Sequence, residues 1–257
     1  MRATVPQRLR ITFVIIYETV RIALIAMYRV KYRGGYPRWY GDIGLKWWAG
    51  KCIDAVRIDF TVIDPHQVRI EPGKRYIIMS NHRSHYDIPL LTLTMPGSLR
   101  MLTKKELFKI PIYGPGLTAG EFISIDRSDL EQAKKDLAFA REKMESGIVL
   151  WIAPEGTRSR TGRMGPFKKG GFIMAIESGA TIIPVGIQGS ETVLKPKTWE
   201  FFLRQKVAIT IGSPIEASAY AMEQKDQLLE DVRESIARLC GEAEEESSAS
   251  VLHSVAE

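Results

Sequence analysis

The sequence YIIMSNHRSHYD, residues 76–87, joins a short apolar run to a dense polar cluster. The apolar run 76–79 has the length and composition of a buried strand, so the polar cluster begins where that strand ends. An α/β sheet has its ligand crevice outside the carboxyl ends of its strands. The stretch therefore predicts an α/β fold with a candidate site directly after this strand.

His82 and Asp87 are the pair in this cluster that is suited to catalysis. Asp87 precedes Ile88 and Pro89, and an aspartate followed by a proline favours the start of a helix. A turn between strand and helix can bring the carboxylate onto the imidazole, which would orient the histidine as a general base. A hydrogen bond that only stabilises the loop remains open at this point. So does a metal site at His82 and His85, although no further Cys or His cluster supports one.

Composition and charge narrow the class of protein. The chain has 257 residues, of which 45% are hydrophobic and 26% are charged, as in an ordinary globular protein. Its two cysteines, Cys52 and Cys240, match no metal or redox spacing. The net charge of +6 includes five glutamates in residues 242–257, so the first 241 residues carry +11. Residues 1–51 alone carry +8, which favours a polyanionic partner such as nucleic acid or an anionic membrane.

The first 51 residues have the pattern of a membrane-surface segment. Residues 9–30 are mostly apolar, but Glu18 and Arg21 interrupt them and disfavour a plain membrane-spanning helix. Residues 36–50 place aromatic side chains beside basic ones, as at the headgroup level of a bilayer. We expect an amphipathic helical pair that lies on the cytoplasmic face of the cell membrane, peripheral or monotopic, without crossing it. The face expected to enter the bilayer consists of Ile11, Val14, Ile15, Ile22, Ile25 and Ala26. Simple packing of both helices on the body of the protein is the alternative.

Strand and helix signals alternate from residue 52 to residue 241. Apolar and polar residues alternate between Val56 and Val62 and predict the first strand. The other predicted strands are 76–80, 99–103, 122–125, 148–153, 181–187 and 207–211, and the predicted helices are 88–94, 130–146, 171–178 and 224–239. The predicted organisation is a helical segment (1–51), one domain with a largely parallel or mixed central sheet flanked by helices (52–241), and a disordered acidic tail (242–257).

Cations and a glycine follow several of the predicted strands. Since parallel strands end at one edge of a sheet, we expect these residues to line a crevice that grips a phosphate. Arginine forks would supply bidentate contacts, and a glycine would let main-chain N–H groups approach the anion. The cations are Lys104, Lys105, Arg127, Arg158 and Lys168, and the glycine is Gly156. Glu155 and Thr157 lie on either side of Gly156 and are candidate substrate-binding residues as well.

Three sequence blocks together resemble a known family. NHRSHYD (81–87), PEGTRS (154–159) and IPVGI (183–187) resemble the first, third and fourth blocks of the glycerolipid acyltransferases of the 1-acylglycerol-3-phosphate acyltransferase, or lysophosphatidic acid acyltransferase, type. KKELFKIPIYG (104–114) and FKKG (167–170) are also similar to that family. The resemblance covers the region from about residue 75 to residue 190.

The resemblance implies transfer of a fatty acyl group from an acyl-CoA or acyl-carrier-protein thioester to a hydroxyl of lysophosphatidic acid at a membrane, which forms phosphatidic acid. It implies that His82 is the base and Asp87 its partner. It also implies that the acceptor is held by Arg127, Glu155, Gly156 and Arg158. The residues agree with this chemistry independently, because a thioester is already activated and the chain has no G-x-S-x-G nucleophile motif.

Several alternatives stay open at the level of sequence. The acceptor could be glycerol 3-phosphate or another lysophospholipid, and the acylated position could be sn-1 or sn-2. A lipid hydrolase would use the same histidine to activate water, and a non-catalytic basic protein would bind membrane or nucleic acid with its N-terminus. No nucleic-acid module supports the last reading, so we expect an anionic bilayer and no nucleic acid as partner. No metal and no cofactor are expected beyond the acyl donor as co-substrate.

Overall fold

A mixed sheet lies at the centre of the molecule, and a computed structural model of the chain describes residues 1–126, 129–159, 162–195 and 198–242. The strands of the sheet are β1 (Asp59–Ile63), β2 (Tyr76–Ser80), β3 (Ser98–Lys104), β4 (Ile123–Ile125), β5 (Ile148–Ile152), β6 (Thr181–Gln188), β7 (Lys206–Ile211) and β8 (Ile215–Glu216). The α-helices are α1 (Val5–Tyr32), α2 (Arg38–Val56), α3 (Asp87–Thr94), α4 (Tyr113–Ala119), α5 (Leu130–Glu145), α6 (Gly170–Ser178) and α7 (Lys225–Leu239). Short 3-10 helices connect several of these elements.

The strand order is β1-β7-β6-β2-β5-β3-β4, with β8 paired to β6. Strands β2 to β6 run parallel to one another, so their carboxyl ends meet at one edge. β7 is antiparallel to β6 and parallel to β1. This arrangement confirms the predicted α/β fold with a mixed central sheet flanked by helices.

Strand β2 is apolar because both faces of the sheet are covered by helices at this position. All five of its residues are buried. Ile78 belongs to the core on one face, together with residues of α2 and α3, whereas Ile77 and Met79 belong to the core on the other face, with α6 and α7. A strand buried on both sides reads as a continuous apolar run, which is the pattern found at residues 76–79.

The start of the sheet differs from the prediction. Helix α2 continues to Val56, past the predicted boundary at residue 51, and ends at Arg57 in the left-handed conformation (φ 56°). β1 begins only at Asp59. As an edge strand it pairs with β7 alone, and all its residues are exposed or half-buried. The prediction of a strand that begins at Val56 was therefore wrong, and the alternation from Val56 to Val62 does not correspond to one buried face.

Helix α4 is absent from the prediction, because its sequence YGPGLTA contains two glycines and a proline, which have low helix propensity. Close packing against α1 compensates for this. A Cβ atom on Gly116 would lie 2.5 Å from the Cβ of Ala23, so only a glycine lets the two helices approach this closely. Tertiary packing has overridden local propensity here.

Helix α1 turns a different face outward from the one predicted. Ile11 and Ala26 are buried, and Val14, Ile15, Ile22 and Ile25 are half-buried, so the predicted bilayer face is not the exposed one. Glu18 is buried too, where its carboxylate forms an ion pair with Arg21 at 2.7 Å. This pairing lets the charged stripe lie near the protein body. The exposed apolar side chains of α1 include Leu9, Phe13, Ile16, Tyr17, Leu24 and Tyr28.

By length and composition, α1 is able to cross a membrane, with a mean hydropathy of 1.7 over its most apolar stretch. Its contacts in the fold run along most of its length. Ala3, just before the helix, donates its main-chain N–H to the carbonyl of Phe201, and Ala23 packs on Gly116 of α4. The helix therefore lies along the body of the protein. It shares one core with the sheet, since Ile11 belongs to the same cluster as Ile78.

Glu242 is the residue of the predicted tail that the structure describes. Glu242 was placed in the disordered segment, but its side chain is ion-paired with Arg83 at 2.5 Å. Residues 243–257, for which disorder was predicted, lie outside the described residues.

Gly186 gives a direct test of the packing between β6 and α7. A Cβ atom at this position would lie 2.3 Å from the main-chain carbonyl carbon of Leu239. Because this is a main-chain atom, no side-chain rotation relieves the overlap. We expect Gly186→Ala to lower the free energy of unfolding by about 1 to 3 kcal/mol, measured by urea denaturation. The matched control is Gly50→Ala in α2, where a Cβ meets nothing within 4 Å and helix propensity favours alanine. Equal stability of the two variants would contradict this account of Gly186.

Candidate active site

The side chains of His82 and Asp87 meet directly after β2. His82 Nδ1 lies 2.8 Å from Asp87 Oδ2, as the sequence predicted. The same oxygen accepts the main-chain N–H groups of Arg83 at 2.8 Å and Ser84 at 2.9 Å. Since Asp87 Oδ2 is an acceptor, Nδ1 carries the hydrogen, and Nε2 is left as the basic nitrogen. The carboxylate is fully buried, whereas the His82 side chain is 15% exposed.

Asn81 extends the pairing between β2 and β6 beyond the last strand residue. Its Nδ2 donates to the carbonyl of Ile187 at 2.8 Å, and its Oδ1 accepts the N–H of Ile187 at 2.8 Å. The amide side chain thus replaces a main-chain strand partner. This explains why an asparagine precedes the histidine, and it holds the start of the loop at the sheet edge.

Glu155 clamps the histidine loop to the segment after β5. Its Oε1 accepts the main-chain N–H of His82 and its Oε2 accepts that of Gly165, both at 2.9 Å. Ser159 adds a further bond, from its N–H to the carbonyl of His82 at 2.8 Å. Burial raises the pKa of the Glu155 carboxyl above its ordinary value, against the opposing effect of these two N–H donors. Both oxygens are directed at the protein, and a role in holding the acceptor stays a prediction.

Trp151 is a neighbour of the histidine that sequence reasoning missed. The His82 and Trp151 rings lie 5.5 Å apart, edge to face, and the indole Nε1 donates to Ser80 Oγ at 3.0 Å. Trp151 is in β5, which pairs with β2, so the sheet itself brings the indole under the imidazole. A tryptophan in an apolar strand gives no signal of this contact in the sequence.

The predicted cations are distributed unevenly around the site. Lys104 is 60% exposed and lies 3.6 Å from Glu106, while Lys105 is ion-paired with Asp126 after β4. Lys168 comes close to Gly156, because a Cβ atom on that glycine would lie 3.0 Å from Lys168 Cε. Gly156 itself has a φ of 71°, which a glycine adopts without strain. Thr157 is exposed on the same loop, and Arg127 lies outside the described residues.

Arg158 lies close enough to the histidine loop to affect it electrostatically. Enclosure by the surrounding protein and then the positive charge of Arg158 lower the pKa of His85 to about 4. His85 is therefore neutral at physiological pH. Among the described residues, no group of three or more His, Cys, Asp and Glu side chains is arranged to hold a metal ion.

An apolar cavity of about 390 Å³ opens beside the loop. Helices α1 to α4 surround it, and His85 and Tyr86 form the part of its wall that adjoins the candidate base. Its volume is within the range typical of ligand sites. This cavity is not apparent from the sequence, because its wall is assembled from segments far apart in the chain, including Ile22, Trp48, Met101 and Leu117.

Neither cysteine has the properties of a nucleophile. Cys52 and Cys240 are both free and buried. Burial, followed by the nearby charge of Glu18, raises the pKa of the Cys52 thiol to about 12. Burial likewise raises the pKa of the Cys240 thiol to about 11. Both side chains are protonated at neutral pH, and thiolate is the reactive form of cysteine.

The chain belongs to the acyltransferase family: residues 60–188, half of its length, match the family model of that description. The resemblance noted in the three sequence blocks is thereby confirmed. His82, Asp87, Glu155 and Arg158 all fall within the matched region.

The names of individual relatives are more specific than the name of the family. The chain is 30% identical over 161 residues to the chloroplast 1-acyl-sn-glycerol-3-phosphate acyltransferase of Brassica napus, covering 63% of this chain and 45% of the relative. It is 29% identical over 173 residues to the 1-acyl-sn-glycerol-3-phosphate acyltransferase of Haemophilus influenzae, covering 67% of this chain and 71% of the relative. The chain therefore spans less than half the length of the plant relative.

A solved structure has the same fold. The crystal structure of the 1-acyl-sn-glycerophosphate acyltransferase of Thermotoga maritima superposes with a TM-score of 0.76. The match covers 93% of this chain and 95% of that one, at 24% sequence identity. The likeness extends over the N-terminal helices as well as the sheet.

Proposed function

We propose that this acyltransferase moves a fatty acyl group from an acyl-CoA or acyl-carrier-protein thioester to the free hydroxyl of lysophosphatidic acid, which yields phosphatidic acid. The observation that carries the proposal is the contact of His82 with the buried Asp87 beside an apolar cavity. The acceptor is proposed from the names of the relatives. Phospholipid synthesis at a membrane is the setting in which such a reaction takes place.

In the proposed mechanism, His82 Nε2 removes the proton from the acceptor hydroxyl as its oxygen attacks the thioester carbonyl. Asp87 holds the imidazole in one tautomer and stabilises the imidazolium. The new C–O bond forms, the C–S bond breaks, and the proton passes from His82 to the leaving thiolate. No covalent acyl-enzyme is required, in keeping with the protonated state of both buried thiols.

The apolar cavity supports the lipid part of this proposal. A fatty acyl chain has no hydrogen-bonding groups and matches a wall built from Ile22, Trp48 and Leu117. Because His85 and Tyr86 belong to its wall, a chain bound with its carbonyl end at these residues would have that end near His82. Burying the chain there supplies binding energy and aligns the two reacting groups.

One assay distinguishes the proposed reaction from two alternatives, which are hydrolysis of the donor and acylation of a different acceptor. Purified protein is offered labelled acyl-CoA with lysophosphatidic acid, glycerol 3-phosphate, another lysophospholipid or no acceptor, and the acylated position is determined. Free fatty acid in excess of acylated product would instead favour a hydrolase. Preference for glycerol 3-phosphate would change the proposed acceptor but not the proposed chemistry.

His82 and Asp87 provide the test of the mechanism. We expect His82→Ala to lower kcat by about 10² to 10⁴-fold, because a positioned general base contributes that much. Asp87→Asn should also lower kcat strongly, since an amide does not hold the same tautomer. Both variants are assayed for acyl transfer and for folding by circular dichroism. A folded His82→Ala protein with normal turnover would contradict the mechanism.

Arg158 tests recognition of the acceptor phosphate. Loss of a charge-assisted hydrogen bond costs ~1.5 to 3 kcal/mol, so we expect Arg158→Ala to raise KM for lysophosphatidic acid roughly ten- to hundredfold. KM for a neutral monoacylglycerol, which lacks the phosphate, should change little. Arg141→Ala, an exposed arginine on α5, is the control. Equal effects of Arg158→Ala on both acceptors would remove Arg158 from phosphate binding.

We also propose that α1 and α2 hold the protein on the cytoplasmic face of an anionic membrane. Apolar side chains are exposed along α1, and Trp39, Ile43 and Trp47 form an exposed stripe on α2 at a spacing of four residues. An exposed apolar area of this kind is characteristic of a membrane or protein contact. The positive charge of residues 1–51 adds attraction to anionic lipid.

Phe13 and Ile16 test membrane contact without touching the core, since they are 67% and 58% exposed. We expect Phe13→Glu and Ile16→Glu each to weaken binding to vesicles of anionic phospholipid at least ~10-fold, because each removes a large apolar side chain from the interface. Vesicle sedimentation is the measurement. Phe139→Glu, at an exposed position on α5, is the control. Unchanged binding of both α1 variants would show that this face does not enter the bilayer.

A further inference from the structure

Glu242, which follows α7, contacts the loop that carries the candidate base. Its Oε1 accepts a hydrogen bond from Arg83 Nη2 at 2.5 Å. Its carboxylate also accepts the main-chain N–H of Met164, at 3.1 Å to either oxygen. The side chain is only 12% exposed, so these contacts are shielded from solvent. A largely buried carboxylate that binds two partners holds them more firmly than an exposed surface ion pair does.

Arg83 transmits this contact to the catalytic pair. Its main-chain N–H donates to Asp87 Oδ2 at 2.8 Å, and Asp87 Oδ2 contacts His82 Nδ1 at 2.8 Å. Glu242 is therefore separated from the imidazole by one arginine and one aspartate. The side chain that Glu242 binds therefore belongs to the residue that follows His82 in sequence and whose main-chain N–H donates to Asp87.

Glu242 is also the close partner of Arg83 among the described residues. The Arg83 side chain is 10% exposed, and its contact with Glu191 is much longer, at 3.9 Å. Its approach to Cys240 Sγ is likewise 3.9 Å. A buried guanidinium that loses its close carboxylate must turn toward water, because an uncompensated buried charge is unfavourable.

The second contact of Glu242 forms a bridge parallel to that of Glu155. Glu155 joins the N–H of His82 to the N–H of Gly165, and Glu242 joins the side chain of Arg83 to the N–H of Met164. Two carboxylates thus hold two successive residues of one loop against two successive residues of the other. The pair of bridges fixes both the separation and the rotation of the histidine loop.

We infer that Glu242 is a positioning residue for acyl transfer, which acts through Arg83 to hold the His82 and Asp87 pair in its reactive arrangement. The inference rests on the proposed function of that pair. It assigns a role in orienting the base to a residue that follows α7. This residue lies outside the region 60–188 that the family model matches.

Two variants of the full chain test the inference in kinetics. Glu242→Ala removes both contacts, and we expect kcat to fall about tenfold, since small misplacement of a reacting group lowers rate steeply. Glu242→Gln keeps an amide oxygen for Arg83 and Met164 but loses the charge, and its loss should be smaller. KM for acyl-CoA and for lysophosphatidic acid should change less than about twofold, because Glu242 is not proposed to touch either substrate. The matched control is Glu234→Gln, which removes a carboxylate from an exposed ion pair with Arg238 on α7.

A double-mutant cycle separates positioning from simple stabilisation. If Glu242 acts through Arg83, then Arg83→Met and Glu242→Gln should be non-additive in log kcat, and the double variant should be no slower than Arg83→Met alone. A merely structural pair would couple in the free energy of unfolding while leaving kcat of the folded variants unchanged. The kinetics are measured well below the unfolding temperature of each variant, and Glu242→Gln and the cycle stand in for Glu242→Ala should that variant not fold.

The outcomes distinguish this inference from the proposed function. A wild-type protein that forms no acylated product refutes the function itself. Active wild type with unchanged kcat in folded Glu242→Gln and Glu242→Ala, or with additive effects in the cycle, overturns the role of Glu242 alone. A fall in kcat at constant KM, with non-additivity to Arg83→Met, establishes it.

Discussion

The buried carboxylate of Asp87 is the constraint on which the arrangement of the site depends. It is removed from solvent at the first residue of α3, and a buried charge must be compensated inside the protein. Its Oδ2 gathers the N–H groups of Arg83 and Ser84 together with the imidazole of His82. Formation of these bonds forces the chain to turn sharply between β2 and α3. The N-terminal end of the helix adds a favourable dipole for the negative charge. Orientation of the His82 imidazole is thus a consequence of satisfying Oδ2 of this carboxylate.

The N-terminal helices α1 and α2 share a core with the sheet and form part of the cavity wall. Arg100, at 1% exposure in β3, donates to Asp42 of α2 at 2.7 Å and to the carbonyl of Gly120 at 2.5 Å. Arg38 of α2 forms a second ion pair with Glu121 at 2.7 Å. These contacts fix α2 against the sheet and the end of α4, where both elements border the apolar cavity. Loss of Asp42 would leave the buried charge of Arg100 without its carboxylate, so the wall of the cavity is held by electrostatics as well as by packing.

The parts of this fold that follow local rules were predictable from sequence. Strand β2 and the turn to α3 are encoded by an apolar run, a polar cluster and an Asp-Ile-Pro helix start, and the His82–Asp87 contact follows from elements five residues apart. Features that depend on distant partners were not predictable. Gly116 makes α4 possible only because Ala23 lies against it, and the outward face of α1 depends on which of its sides packs on the core and on α4. The partners Arg83 and Glu242 are separated by 159 residues, and nothing local to an acidic tail indicates which of its glutamates is anchored.

The chemistry and the architecture place complementary demands on the loop after β2. The proposed transfer from a thioester would need one base and accurate alignment, because the acyl group is already activated and no covalent intermediate has to be stabilised. In that mechanism the fold must align the base with its substrates accurately, and it need not supply a reactive nucleophilic side chain. The structure meets this demand by fixing the loop from several directions: Asn81 ties it to β6, Glu155 and Ser159 tie it to the segment after β5, and Trp151 packs on the imidazole. In the proposed mechanism, this rigidity keeps Nε2 of His82 in one position for the acceptor hydroxyl.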